Sequence, residues 1–387
     1  MRFYCFLLFF YMMPMHAEVI RFATFNTSLY RQAQGELIQD LSTADDLQAK
    51  NIAEIIQRVR PDILLINEFD YDDNGKAARL FRRNYLARGQ NGANPIFYPF
   101  FYVVPSNTGV PSGVDLNQDG KIEGPEDALG FGLFPGQYAF VVFSRYPLGY
   151  PRSFRHFLWS RLPDALLPIN MENGQMFYSE KALDVLPLSS KNHVDLPARV
   201  GKKIVHLLAS HPTPPTFDGP EDRNGRRNHD EIRLWAEYLN PRNSFLVDDQ
   251  GRRGGLLQQH SFVILGDLNA DPYDGDSIQG AMDQLLDHPR INFEAARGEW
   301  VPKSKGGQAF ALSSSGENNH RGDPAEDTAA FAGGLRVDYV LPSADLQVVG
   351  SGIFWPVPED PLYRLVENAA SNPSSDHHLV WIDVILP

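Results

Sequence analysis

The feature that most constrains this chain is a set of short, unbroken apolar runs, each followed closely by a polar residue. Ile63-Leu64-Leu65-Ile66 carries no polar interruption between Pro61-Asp62 and Asn67-Glu68. A strand with one face in water alternates, whereas a run apolar at every position needs helices or a second sheet over both faces. The same reading gives strands at 19–25, 139–143, 204–209, 262–265, 337–341 and 379–386. Ser42-x-x-Asp45 opens a helical pattern through Leu47, Ile52, Ile55, Ile56 and Val59, and Pro61 ends it. Ile232, Trp235 and Leu239 have helical spacing over 231–239. No repeat or long low-complexity linker divides the chain, which reads as one domain from residue 18 to 387 with insertions near 71–137 and 152–200.

The first residues, Met1 to Ala17, contain one positive charge, a short apolar run, Pro14 and a small closing residue, the layout of a signal peptide. The apolar run is well short of the roughly 20 residues a spanning helix needs. A secreted or periplasmic product starting near Glu18 is expected. The only cysteine, Cys5, lies in that leader, so the mature chain would have no disulfide and no thiolate-held metal. Loss of Arg2, the one charged side chain of the leader, takes the formal net charge from −13 to −14. Such acidity disfavours holding nucleic acid by bulk electrostatics. It is compatible with a nuclease, because carboxylates gathered around metal ions add negative charge to the count while the ions locally reverse it.

The polar residues that follow the strands fall in a telling order: Phe22-Ala23-Thr24-Phe25-Asn26, then Pro61-Asp62-Ile63-Leu64-Leu65-Ile66-Asn67-Glu68, then Ser210-His211-Pro212, Gly266-Asp267-Leu268-Asn269, Arg336-Val337-Asp338-Tyr339-Val340 and Ser374-Ser375-Asp376-His377-His378. Singly, each is an ordinary turn or loop residue. Together, with Phe140-Val141-Val142-Phe143-Ser144-Arg145-Tyr146-Pro147, they resemble the motif set of the endonuclease/exonuclease/phosphatase family. The resemblance implies an α/β four-layer sandwich, two packed mixed β-sheets flanked by helices, and a metal-dependent phosphoesterase. By resemblance, Glu68 is the principal metal ligand, with Asn26 and Asp376 completing or orienting the shell of Mg²⁺ or Mn²⁺. Asp338 would orient His377, which would activate water. Asp267 and Asn269 would position that water or the scissile phosphate, with one ion or two. His211 would either donate to a phosphoryl oxygen or protonate the leaving group. His378 is assigned a structural role, since neighbours on a strand face opposite ways.

Two further segments call for a reading. Asp115-x-Asn117-x-Asp119-Gly120-Lys121, closing on Glu126, fits a calcium-binding loop in which Lys121 offers only its carbonyl. Pro105, Gly109, Pro111 and Gly113 forbid an entering helix, so an isolated structural Ca²⁺ loop is expected. Arg223, Arg226 and Arg227 concentrate positive charge just after His211 and would either hold substrate phosphates or form a solvated loop. The expected substrate is a phosphate ester, with DNA first; a phosphatase or lipid phosphodiesterase is the alternative on the same core, and a calcium-stabilised binding protein is the alternative outside enzymes. No protein partner and no stable membrane association are implied.

Overall fold

The computed structural model of the protein describes residues 18–313, 320–367 and 373–386; the segment read as a leader, with Arg2 and Cys5, lies outside them. In chain order the strands are β1 (Val19–Leu29), β2 (Ile63–Phe69), β3 (Phe100–Val104), β4 (Phe140–Ser144), β5 (Arg152–Ser153), β6 (His193–Val200), β7 (Lys203–Ser210), β8 (Ser261–Asp267), β9 (Asp338–Pro342), β10 (Gln347–Ile353) and β11 (Val380–Ile385). They form a six-stranded sheet ordered β10-β11-β1-β2-β4-β3 and a five-stranded sheet ordered β5-β6-β7-β8-β9. The parallel pairs are β1 with β2 and β7 with β8; every other neighbour is antiparallel.

The unbroken apolar runs have the cause expected of them. Leu207, Ala209, Val263 and Leu265 face the six-stranded sheet, in one core with Phe22, Phe25, Leu64 and Ile66. Their chain neighbours Leu208, Phe262 and Ile264 face outward, beneath Ile232, Trp235 and Leu239. Each buried Val, Leu, Ile or Phe among them contributes about 1.5–3 kcal/mol by leaving water. Helices lie outside: Leu47–Val59 against the larger sheet and Arg223–Tyr238 against the smaller. Two mixed sheets flanked by helices are the α/β sandwich the resemblance implied.

Several boundaries differ from the sequence reading. The first long helix is capped by Asp46, whose carboxylate accepts from Ala49 N at 2.7 Å, rather than by the Ser42-x-x-Asp45 pair; Arg60 turns it off at a φ of 58°. The second starts at Arg223 rather than near Glu231. Inside the two spans read as insertions, β3 and β6 are strands of the sheets.

Candidate active site

Sheet topology brings the separated motifs to one edge. Asn26 lies near the carboxyl end of β1 and Glu68 near that of β2; His211 follows β7, and Asp267 ends β8. Asp338 begins β9, antiparallel to β8, and His377 precedes β11, antiparallel to β1, so both arrive at the same edge. Gly266 is needed here because a Cβ on it would lie 2.1 Å from the Ser210 carbonyl oxygen; its absence lets β8 close on β7 and sets Asp267 beside His211. Ser28, Glu68 and Asn269 hold φ of 48°, 56° and 52°. Non-glycine residues in this left-handed region cost of order 1 kcal/mol or more, and they cluster where side-chain aim matters.

The polar groups form one connected array. Asn26 Nδ2 donates to Glu68 Oε1 at 3.1 Å and to Asp267 Oδ2 at 3.0 Å, and lies 3.5 Å from His377 Nε2. His377 Nδ1 donates to Asp338 Oδ2 at 2.9 Å. The Thr328 hydroxyl donates to the same oxygen at 2.8 Å and accepts from the backbone of Val337 and Asp338. Asp267 Oδ2 is 3.4 Å from His211 Nε2 and 3.7 Å from His377 Nε2. Asp267 Oδ1 accepts from Asn269 N, and Asn269 Nδ2 donates to Pro212 O. Asp376 accepts from the Ser28 hydroxyl at 3.1 Å and lines the same cavity as Glu68, His211, Asn269 and His377. The eight residues of the motif set are thus brought together. His378 turns away, stacked 3.6 Å from Trp355 with Nδ1 against Thr328 O.

Burial sets the electrostatics. It pushes Glu68 up to about 7, helped by the charges of Asp267 and Asp376 and opposed by His377 and Asn26. Burial raises Asp338 to about 6, although His377 pulls it down. Asp267 is held far below the usual carboxylate range, because His377, His211 and Asn26 outweigh its burial. Burial opposes a charged His377, yet Asp338 and Asp267 override it and hold the ring's proton affinity well above the usual histidine. Burial beside Lys191 drops His211 to about 4, leaving it neutral at physiological pH.

The residues fit a divalent cation. Glu68 is acidic, half-buried, repelled by two carboxylates, and its hydrogen-bonding neighbour is the Asn26 amide; with Asp376 it offers the hard oxygens that Mg²⁺ or Mn²⁺ prefers. Among the described residues, the ligand atoms of Asp267, Asp338 and His377 also lie within 4.8 Å of one another, compact enough for a metal. In that trio, Asp338 Oδ2 already accepts from His377 and Thr328, which makes a hydrogen-bonded relay its simpler use.

Sequence reasoning missed three supporting residues. Lys191 is buried and lines the cavity, with Nζ donating to Pro212 O at 3.2 Å; burial lowers its pKa against the pull of Glu231, Glu68 and Asp267. Glu231 is fully buried: Oε1 accepts from Ser190 N and Oγ at 2.7 and 3.0 Å, and Oε2 accepts from Thr213 N at 2.6 Å. Thr328 is the third. It lies eight residues before Arg336, and nothing in the sequence marked its hydroxyl. Of the three arginines, Arg223 and Arg227 line the cavity, and all three also have partners within the protein. Arg227 is buried and donates to Leu188 O, Leu129 O and Pro187 O; Arg226 donates to Glu221 O, and Arg223 pairs with Glu221 while lining the cavity. They sit in the first turns of a helix rather than in a solvated loop.

In the proposed calcium loop, Asp115 accepts from Gln118 N and Gly120 N, Asn117 from Asp119 N, and Asp119 from Lys121 N. Gly120 supplies the turn at a φ of 85°. Asp127, unremarked in the sequence, clasps the loop by accepting from Leu116 N and Glu123 N. Asn117 and Glu126 line the cavity of the catalytic array, whose volume is about 1020 Å³.

A family model described as the Endonuclease/Exonuclease/phosphatase family matches residues 23–377. The chain belongs to that family and is a metal-dependent phosphoesterase. Among solved structures it is similar to an endonuclease/exonuclease/phosphatase protein from Beutenbergia cavernae at 18% identity and a TM-score of 0.51, covering 95% of this chain and 72% of that one. It is also similar to sphingomyelinase C from Streptomyces griseocarneus (15%, TM-score 0.47, 95% and 99%) and to the human Nocturnin catalytic domain (14%, TM-score 0.46, 95% and 96%). No curated protein matches it significantly.

Proposed function

We propose that this chain is a secreted or periplasmic phosphodiesterase that uses Mg²⁺ or Mn²⁺ and acts on nucleotidyl substrates, DNA first. The observation that carries this reading is the connected array Asp338–His377–Asp267–Asn26–Glu68, of which His377 and Glu68 reach the wall of one cavity while the other three are buried behind them. In its unprotonated form His377 takes the proton of the attacking water at Nε2, and its high proton affinity makes that form the one favoured by rising pH. The resulting imidazolium is favoured by Asp338 behind it and Asp267 in front. Glu68, Asn26 and Asp376 would hold a divalent ion, which when bound would supply Lewis-acid stabilisation of phosphoryl charge. Lys191 adds a buried positive charge on the same wall, where low dielectric strengthens it. His211, neutral, donates an N–H to a phosphoryl oxygen rather than a full proton. Asn269, aimed by its left-handed backbone, fixes the phosphate. The Asp115–Glu126 loop takes a structural Ca²⁺ and stiffens the cavity wall formed by Asn117 and Glu126.

The test is a substrate panel for residues 18–387: plasmid DNA, RNA, a sphingomyelin analogue, bis(p-nitrophenyl) phosphate and p-nitrophenyl phosphate, each with Mg²⁺, Mn²⁺ or chelator. Metal-dependent cleavage of nucleic acid above the lipid and the monoester is expected. Preference for the lipid or the monoester would replace the substrate part of the reading, and cleavage of nothing would remove it whole.

A further inference from the structure

The loop from His211 to Asp218 carries a side chain that packing does not explain. Phe217 is 85% exposed, yet its ring lines the catalytic cavity and its backbone is held at a φ of 65°. A bulky residue in that region is an outlier, and an exposed one gains no burial to offset the strain. Glycine would relieve it at no loss of packing.

The surroundings over-determine this conformation. Pro212, Pro214 and Pro215 stiffen the approach. Asn224 then grips both flanks of Phe217: its Nδ2 donates to Thr216 O at 2.6 Å and its N donates to Asp218 Oδ2 at 2.6 Å. Asn228, one turn on, donates to Thr213 O at 2.8 Å and to Leu268 O at 2.9 Å, and Glu231 accepts from Thr213 N. Residues 224, 228 and 231 share one helix face. That face fixes the Phe217 loop and the Asp267–Asn269 loop together, so the ring is registered against the catalytic array.

We propose that Phe217 is a substrate-positioning residue that stacks on a nucleobase next to the scissile phosphate, and that the enzyme therefore prefers single-stranded to duplex DNA. This rests on the nucleotidyl reading above and deepens it. A flat, rigidly held ring suits a planar partner, and the cavity it lines is also lined by Asn117, Asn224 and Arg223, whose polar groups beyond their bonds to Thr216 O and Glu221 could meet the polar edge of a base. An acyl chain would need neither the fixed plane nor the amides. In a duplex, base faces are covered by their neighbours, so stacking on a side chain first requires a base to leave the stack. Base stacking also gives a strongly acidic protein a way to hold a strand without tracking its phosphates.

The test compares three substrates of equal length, a single-stranded oligonucleotide, its duplex and an abasic oligonucleotide, together with bis(p-nitrophenyl) phosphate and phosphatidylcholine vesicles. Wild type should cleave the base-bearing single strand with the lowest KM. Phe217→Ala should raise that KM roughly ten-fold towards the abasic value, with kcat falling less than about two-fold, and Phe217→Trp should restore it. Because the side chain is exposed, the melting temperature should stay within about 1 °C. Equal KM for base-bearing and abasic strands in wild type, or no change in their ratio in Phe217→Ala, overturns the inference. So does loss of vesicle binding in Phe217→Ala with the ratio unchanged, which would make the ring a lipid contact. Cleavage of bis(p-nitrophenyl) phosphate with no cleavage of any oligonucleotide overturns the nucleotidyl reading and this inference with it, while no cleavage at all overturns the phosphodiesterase reading.

Discussion

Replacing Glu231 by glutamine should loosen both catalytic loops through a side chain that touches no substrate. The carboxylate accepts from Ser190 N, Ser190 Oγ and Thr213 N, all within 3.0 Å, and is fully buried. Glutamine keeps an oxygen for Ser190 and turns an amide towards Thr213 N, where two donors would then oppose each other. One charge-assisted hydrogen bond is lost, worth about 1.5–3 kcal/mol, and one buried N–H is left unpaired, at about 1–3 kcal/mol. The expected destabilisation is therefore about 3–5 kcal/mol. With an unfolding entropy near 2.1 cal/mol/K per residue, a chain of this length should lose about 4–6 °C of melting temperature. Calorimetry would measure it against Glu299→Gln, an exposed control expected within about 0.5 kcal/mol of wild type. Because Thr213 sits between His211 and Phe217, catalytic efficiency should fall as well. A Glu231→Gln protein that melts with the control would refute the idea that this carboxylate holds the loop.

Asp338→Asn should leave KM close to wild type and lower kcat by about 10²–10⁴, since the asparagine amide cannot stabilise the imidazolium of His377; steady-state kinetics on bis(p-nitrophenyl) phosphate would show it, and an undiminished kcat would remove Asp338 from the relay. Lys191→Met should cost about 10² in kcat/KM while Lys191→Arg retains more, if the buried charge faces phosphoryl oxygen. Acid should destabilise the fold through His193, which burial holds at about 4 between Ser189 Oγ and Glu231 O. Its folded pKa lies below the unfolded 6.5, so the unfolded chain gains a proton first; the contribution is full above pH 6.5, drains as pH falls, and is gone below about 4. The window is worth about 3 kcal/mol, and urea unfolding across pH 7.5 to 4 should be correspondingly flatter in His193→Gln.

The centre of the fold was legible because both faces of its strands are covered. Runs such as 63–66 and 262–265 have no polar position to hide among, and they fell where β2 and β8 are found. The strands that escaped notice are of another kind. β6 carries Asp195, Pro197 and Arg199, and Asp195 is satisfied only by His206 and Tyr238, partners that tertiary folding supplies. β10 contains Gly350, where a Cβ would press on Asp383, and Gly352, where it would crowd Trp381, and it lies at a sheet edge. The catalytic residues were readable because each motif travels with its own strand. Lys191, Glu231 and Thr328 were not, since their roles come from burial and from hydrogen bonds to segments distant in sequence. The burial of Arg227 was hidden for the same reason: local charge density gave no sign that this side chain would be drawn inside to three carbonyls.

The most direct measurement is the rate of bis(p-nitrophenyl) phosphate hydrolysis by residues 18–387 as Mn²⁺ or Mg²⁺ is added back after chelation, for wild type, Glu68→Gln and His377→Ala. Wild type should be inactive in chelator and recover with the metal; Glu68→Gln should need far more metal, and His377→Ala should stay inactive at any concentration. Hydrolysis that persists in chelator, or a His377→Ala protein as active as wild type, would contradict a metal-assisted reaction in which His377 is the base.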